Sequence, residues 1–169
     1  MRKNIFALAG VLLILASCNS KKQQVVRLFG EAQGSTYSII YVDKEQRNFQ
    51  TSIDSLIKVI DKSMSTYDPT SIISSVNKGE DVKLDDHFLK VWEKSVEIFE
   101  ESEGVFDVTI APLVNAWGFG YKQGIERLDS VMVDSLKQLI GTDKVRVESE
   151  SIRFLQEGMQ IDFNAIAQG

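Results

Sequence analysis

Cysteine, histidine and proline are scarce in this chain. Among 169 residues there are one cysteine, one histidine and two prolines. A single cysteine excludes an internal disulfide framework, and one histidine leaves little for a histidine-rich metal site. Basic residues are also the minority, 19 against 24 acidic ones, which gives a net charge of −5. This balance argues against a protein that binds nucleic acid by neutralising phosphates.

The rest of the composition is that of an ordinary globular protein. Hydrophobic residues make up 43% and charged residues 25% of the chain. These fractions exclude a disordered tail and a multi-span membrane protein. The length suits one domain or one piece of a larger domain.

The N-terminus resembles a bacterial lipoprotein signal. Arg2 and Lys3 precede an apolar run that ends before Cys18, the only cysteine. The run is shorter than the roughly 20 residues that a spanning helix needs, and it fits the apolar region of a secretory signal. We therefore predict a signal peptide over residues 1–17, lipidation at Cys18, a tether over 18–30, and anchoring on the extracytoplasmic (periplasmic) side of a bacterial membrane. The alternative is a plain signal peptide with an incidental cysteine.

The pattern along the rest of the chain favours an α+β fold with a mixed or antiparallel sheet and flanking helices. Strands and helices mix without the strict alternation of a doubly wound sheet. Apolar periodicity and turn residues predict the boundaries. We expect strands at 25–30 and 35–42 joined at Gln33-Gly34, helices at 51–64, 86–103 and 129–140, an ordered loop at 111–124, a hairpin of 144–147 with 151–155, and a short strand at 159–163.

Three polar clusters are candidates for a functional site. The first, residues 63–69, ends a helix in hydroxyls with Tyr67 and Asp68. An aromatic ring at such a bend can stack on a planar ligand. Alternatively, the segment is a turn in which serine and threonine satisfy backbone groups.

The second cluster runs from Gly104 to Gly120. Asp107 lies in an apolar segment, where a carboxylate needs a partner, so it either binds a ligand or caps a backbone turn. The sequence Trp-Gly-Phe-Gly at 117–120 places aromatic rings beside backbone that can be approached closely. The glycine spacing here does not make a dinucleotide-binding fingerprint.

The third cluster is the C-terminal segment 161–169. Asp162 and Asn164 share one face if this segment is a strand, and oxygen ligands of this kind suit Mg²⁺. The alternative is a surface turn. Because the segment stops in a glycine-containing turn at Gly169, we expect the chain to be part of a longer protein.

Taken in order, these clusters resemble one known family. The chain is similar to the FAD:protein FMN transferases, the ApbE-type flavin transferases, over residues 31–169, the N-terminal portion of that domain. The matching stretches are Gln33-Gly-Ser-Thr-Tyr-Ser38, Met64-Ser-Thr-Tyr-Asp-Pro-Thr-Ser71, Gly104-Val-Phe-Asp-Val-Thr-Ile-Ala-Pro-Leu-Val-Asn-Ala-Trp-Gly-Phe-Gly120 and Ile161-Asp-Phe-Asn-Ala-Ile-Ala-Gln-Gly169.

The resemblance implies a T-fold-like domain and a reaction. Such an enzyme moves FMN from FAD onto a Thr or Ser hydroxyl of a target flavoprotein, for example a redox-pump subunit, with Mg²⁺ and with release of AMP. It also implies that the catalytic residues follow residue 169, so that this portion alone is inactive. The residues implied to bind FAD are Gln33, Tyr67, Val105, Phe106, Asp107, Asp162 and Gln168.

Other expectations follow from the same resemblance. Ala165 would offer its carbonyl oxygen to Mg²⁺. Gln33 stands where methionine is common in the family, and the uncharged Gln168 stands where a charged residue is usual. The alternatives to flavin transfer are a lipoprotein that binds or hydrolyses FAD without a protein target, and an inert truncated fragment.

Overall fold

A computed structural model describes residues 24–121, 124, 127–148 and 150–167. The chain divides into two compact units, with the boundary between Asp54 and Ser55. The predicted signal peptide, Cys18 and Gln168 lie outside the described residues.

The first unit is built on an antiparallel hairpin. Strand β1 (Gln24–Ala32) pairs with β2 (Ser35–Asp43) from Gln24↔Asp43 to Ala32↔Ser35. Gln33 and Gly34 join the strands with φ of 52° and 73°, as a two-residue hairpin turn of the left-handed type requires. The predicted tight junction is confirmed. The tether assigned to residues 18–30 is wrong for 24–30, because their backbone already pairs with β2.

A polar contact fixes the start of the next helix to this hairpin. Helix α1 (Gln50–Met64) begins in the first unit and continues past its boundary. The Tyr37 hydroxyl donates to Asp54 Oδ1 at 2.5 Å. This hydrogen bond, with the nearby carboxylate charge, raises the pKa of Tyr37 above its ordinary value.

The second unit contains the remaining elements. They are α2 (Ile72–Asn77), α3 (Asp86–Glu101), α4 (Ala111–Ala116), α5 (Ser130–Lys137), a 3₁₀ turn (Thr142–Lys144), β3 (Val145–Glu148), β4 (Ser151–Phe154) and α6 (Asn164–Ala167). Strands β3 and β4 form a separate antiparallel hairpin. Its turn includes residue 149, which lies outside the described residues.

The core of this unit forms around α3. Phe88 and Trp92 lie one turn apart on its apolar face and are buried. Phe88 meets Phe163 edge-on, with ring centroids 5.1 Å apart. Ile161 and Val108 belong to the same buried cluster. The segments of the second and third sequence clusters are therefore packed into one core.

Three local predictions are corrected. Residues 111–116 are helical, not loop, because Pro112 sits in the first turn, where its missing N–H costs nothing. Helix α2 was missed, since six residues show little periodicity. Residues 159–163 do not form a strand: the segment pairs with Ile110 at Gln160 by an isolated bridge instead of a continuous ladder.

The α+β prediction is confirmed. The described residues form helices and two small antiparallel sheets. Among these residues, no helix has both the length and the apolar character needed to cross a bilayer.

Candidate functional site

Tyr67 stands at the apex of a polar turn between α1 and α2. Its side chain is 68% exposed, and its N–H donates to Ser65 Oγ at 3.3 Å. The Ser71 hydroxyl donates to the Ser65 carbonyl at 2.7 Å. The predicted backbone-satisfying turn is therefore confirmed, and the tyrosine ring remains presented to solvent.

Ser71 and Ser74 connect this turn to α2. Ser71 is the N-cap of α2, and its side chain accepts the Ser74 N–H at 3.1 Å. The Ser74 hydroxyl in turn donates to the Asp68 carbonyl at 2.7 Å. The turn and the helix thus form one hydrogen-bonded piece.

The carboxyl group of Asp68, in the same turn, has a lowered pKa. Lys62 Nζ lies 2.7 Å from Asp68 Oδ2, and the Thr70 hydroxyl donates to Oδ1 at 2.7 Å. The hydrogen bond from Lys62, followed by those from Thr70, lowers the pKa of Asp68 to about 2. The carboxylate fixes the turn beside Tyr67 and leaves the ring free to contact a ligand.

Asp107 caps a turn instead of lying in a strand. Its Oδ1 accepts the Thr109 N–H at 2.8 Å and the Thr109 hydroxyl at 2.6 Å. It also accepts the Thr142 hydroxyl at 2.9 Å, while Oδ2 accepts the Thr142 N–H at 3.1 Å. Of the two roles left open by the sequence, capping is therefore confirmed. Contact with FAD stays a prediction.

Thr109 extends this network across the core. Its hydroxyl also accepts the Gly141 N–H at 2.7 Å, and both Thr109 and Thr142 are buried. The segment after α5 is thereby held against the 107–109 turn. Sequence analysis missed both threonines, because the contacts Thr109–Gly141 and Thr142–Asp107 join residues more than thirty positions apart.

Several apolar side chains of the second cluster face solvent. Val105 is 90% exposed, Phe119 is 81% exposed and Trp117 is 57% exposed. Phe106, in contrast, is half-buried and packs against the core. The predicted binding residues Val105 and Phe106 therefore differ: one is available to a ligand by its side chain and the other holds the turn in place.

Glycines at the end of the second cluster, and Gly124 just after it, allow close backbone contact. A Cβ on Gly124 would lie 2.8 Å from the Cα of Gly118, and a Cβ on Gly120 would overlap the Asn115 side chain. The chain itself fills the space beside these glycines, and approach of a ligand to their backbone stays a prediction. In the described structure the backbone of Gly124 itself approaches Gly118, so the glycines serve the folding of this loop.

Asp162 is buried, at 7% exposure, and lies two residues before the start of α6. Its Oδ1 accepts the Asn164 N–H at 2.8 Å, and its Oδ2 accepts the Asn164 side-chain amide at 3.2 Å. The expectation that both side chains lie on one face of a strand is wrong, because the chain turns into a helix at Asn164.

The structure brings the second and third clusters together. The Asp162 N–H donates to the Val108 carbonyl at 2.8 Å, directly beside Asp107. Gln33 lies at the hairpin turn of the other compact unit, and Gln168 lies outside the described residues.

The described residues do not make a magnesium site. Among them, no group of three or more His, Cys, Asp or Glu side chains is placed to hold a metal ion. The Asp162 carboxylate is occupied by Asn164. Ala165 is exposed on α6, and the carbonyls of so short a helix lack intrahelical partners. One carbonyl is too sparse a ligand set for Mg²⁺.

A cavity of about 660 Å³ lies elsewhere, between the end of α2 and the β3–β4 hairpin. Residues lining it include Asn77, Lys78, Asp81, Arg153 and Met159. It contains none of the site residues that the sequence predicted, so we do not assign it to the flavin site.

The helices, the two antiparallel hairpins and the shared core of the matched motifs define an α+β class of domain. The family model "ApbE family" matches residues 33–169, and the chain belongs to this family.

Relatives and solved structures agree with this assignment. The chain is 32% identical to the FAD:protein FMN transferase of a Vibrio cholerae strain over 180 residues, covering 100% of this chain and 52% of the relative. For the Haemophilus influenzae enzyme of the same name the identity is 28%, with 100% and 53% covered. The chain spans about half the length of the curated relatives it matches.

Two solved structures share the fold. The flavin transferase ApbE from Vibrio cholerae matches with a TM-score of 0.77 and 26% identity, covering 84% of this chain and 48% of that one. The apo flavinyl transferase ApbE from Pseudomonas stutzeri matches with a TM-score of 0.75 and 26% identity, covering 86% and 51%.

Proposed function

We propose that this chain is the N-terminal part of a FAD:protein FMN transferase as long as its relatives. The observation that carries the proposal is the family match over residues 33–169. The hydrogen bond that joins Asp162 to Val108 supports it, because it unites two of the matched motifs in one packed unit.

The proposed reaction is transfer of a phosphoryl group that carries the flavin. The Thr or Ser hydroxyl oxygen of the acceptor flavoprotein attacks the FMN phosphorus of FAD. The bond from that phosphorus to the bridging oxygen breaks, AMP leaves with that oxygen, and a base takes the hydroxyl proton. Catalysis of such a step is mainly positioning and electrostatic stabilisation. We assign no base within this chain.

The chain's own residues would bind and orient FAD. The exposed ring of Tyr67 is available to contact the flavin, and Val105 offers an apolar surface at the Asp107 turn. Gln33 and Gln168 belong to the proposed binding set through the resemblance alone.

Magnesium enters this proposal only for the longer protein. The carbonyl of Ala165 would supply one oxygen, and the remaining ligands would come from residues outside this chain. The ion would neutralise phosphate charge when bound.

The decisive experiment uses a protein of the relatives' length. Incubation with FAD, MgCl₂ and an acceptor peptide carrying Thr or Ser should release AMP and raise the peptide mass by one FMN group. Tyr67→Ala should raise the Kd for FAD at least tenfold by calorimetric titration. Val131→Ala, at an exposed position on α5, is the control and should leave the Kd unchanged.

The alternatives give different results in the same assay. Release of AMP without a mass gain on the peptide would assign FAD hydrolysis instead of transfer. Absence of FAD binding by the parent protein would overturn the proposal.

We also propose that the protein is a lipoprotein anchored through Cys18. The basis is the sequence of residues 1–18, since acyl chains hold a protein at a membrane when more than one is attached. Cys18→Ser should move the protein from the membrane fraction to the soluble fraction. Retention of the variant in the membrane fraction would contradict this assignment.

A further inference from the structure

Asn77 makes a two-point contact with a distant part of the backbone. It is the last residue of α2. Its side-chain Nδ2 donates to the Ile161 carbonyl at 2.8 Å, and its Oδ1 accepts the Ile161 N–H at 2.7 Å. A single side-chain amide thus satisfies both polar groups of one residue that is 84 positions away.

This contact lies on the opposite side of the segment from the Asp107 turn. In an extended chain, the N–H and C=O of one residue point to the same side, and those of the next residue point to the opposite side. Ile161 directs its groups to Asn77, and the next residue, Asp162, directs its N–H to Val108. The segment is therefore held from both sides, by backbone on one and by Asn77 on the other.

Asn77 also connects this segment to the turn that presents Tyr67. Helix α2 is six residues long, and its N-cap Ser71 closes the Tyr67 turn by its bond to the Ser65 carbonyl. The two ends of one short helix therefore contact the first and the third polar clusters, at Ser65 and at Ile161.

We propose that Asn77 is a positioning residue of the flavin site, which fixes the spacing between the Tyr67 turn and the Asp162 segment. This inference rests on the proposed FAD-binding function. Asn77 itself need not touch FAD. Its amide is required because only a side chain with both a donor and an acceptor can satisfy Ile161 at both atoms.

The test compares three variants of the longer protein. Asn77→Ala removes both hydrogen bonds. Asn77→Asp keeps an acceptor for the Ile161 N–H but removes the donor to its carbonyl. Val76→Ala is the matched control, because Val76 is a buried core residue on the same helix, so that its truncation weakens packing while both hydrogen-bonding groups of Asn77 are kept.

Two readouts separate positioning from general destabilisation. Amide hydrogen exchange should accelerate at least tenfold at Ile161 and Asp162 in Asn77→Ala, while the amides of α3 remain protected. The Kd for FAD should rise at least tenfold in Asn77→Ala, by a smaller factor in Asn77→Asp, and less than twofold in Val76→Ala, all measured well below each Tm.

The outcomes are distinguishable. Unchanged amide exchange at Ile161 would overturn the proposal. Faster exchange with an unchanged Kd for FAD in both Asn77 variants would also overturn it. A loss of affinity in Val76→Ala equal to that in Asn77→Ala would do the same. If Asn77→Ala does not fold, Asn77→Asp decides by the same criteria. A parent protein that binds no FAD would instead refute the proposed function, and exchange would still decide whether Asn77 holds the segment.

Discussion

The carboxylates of the matched motifs have different hydrogen-bond partners. Their removal should therefore affect the stability of the protein in different ways. Asp107 accepts hydrogen bonds from two buried threonines, whereas Asp68 pairs with a largely exposed lysine. Buried donors cannot turn to water when their acceptor is lost. The first residue thus bears mainly on stability and the second on the local turn.

Asp107→Ala should lower the free energy of unfolding by at least about 1–3 kcal/mol, because it leaves buried donors of Thr109 and Thr142 without an acceptor. Chemical denaturation would measure the change. Asp143→Ala is the control. Asp143 is exposed and lies next to Thr142 in the 3₁₀ turn, so its effect should stay within about 0.5 kcal/mol. Equal stability of the two variants would contradict the role of the network.

Asp68 should contribute to stability in a pH-dependent way. Its pKa falls from 3.8 to about 2 in the folded protein, chiefly through Lys62. A lowered pKa means that the contribution is present above pH 3.8 and is lost as pH falls toward 2. The difference in Tm between the parent and Asp68→Asn should therefore be constant from pH 7 to 5 and shrink below pH 4. A difference that grows on acidification would contradict this assignment.

Local signals found some of these residues but not their partners. The polar turn at 63–69 could be predicted, because serine, threonine and aspartate satisfy backbone groups within a few residues. The partners of Asp107 at Thr142 and of Asn77 at Ile161 could not. These pairs arise from tertiary packing over 35 and 84 positions.

At the scale of elements, the N-cap residues of α3 and α5 differ in the contacts that they make. Asp85 is the N-cap of α3 and accepts the Phe88 N–H at 2.8 Å. It also accepts the hydroxyl of the fully buried Ser63 at 2.8 Å. Asp129 caps α5 through the Met132 N–H, and α5 has no buried residue among those described.

Asp85→Ala should therefore cost more stability than Asp129→Ala. Loss of an N-cap costs typically about 1 kcal/mol, and Asp85→Ala additionally leaves the Ser63 hydroxyl unsatisfied. Thermal unfolding of both variants would measure the difference. A larger effect at Asp129 would show that the Ser63 contact does not support α3.

The long helices and the β3–β4 hairpin followed the sequence closely, whereas the two six-residue helices did not. Helix α3 was expected over 86–103 and spans Asp86–Glu101, because its apolar spacing persists over four turns. Helices α2 and α4 have six residues each, which is too few for periodicity. Their only local signals are the Ser71 cap and Pro112.

At the scale of the whole molecule, the β1–β2 hairpin exposes an apolar face. Paired residues in an antiparallel sheet share a face, and alternate residues along each strand do too. The register Val25↔Val42 therefore places Phe29 and Ile40 on that same face. All four side chains are exposed, and exposed apolar patches favour association.

This face should bind apolar dyes in the 169-residue chain. The double variant Phe29→Ser with Ile40→Thr should reduce the emission of bound ANS without changing the far-UV circular dichroism. Val131→Thr, at an exposed helical site outside the hairpin, is the control. Undiminished emission in the double variant would locate the bound dye elsewhere.

The two tryptophans occupy contrasting environments, Trp92 at 7% exposure in the core and Trp117 at 57% exposure. Iodide in solution can collide with the indole of Trp117 but is kept from that of Trp92. A molecule resting on the Gly104–Gly120 segment would shield Trp117 from the quencher, whereas unfolding would open both rings to it. The protein therefore contains a built-in optical probe that separates occupancy of this segment from loss of the fold.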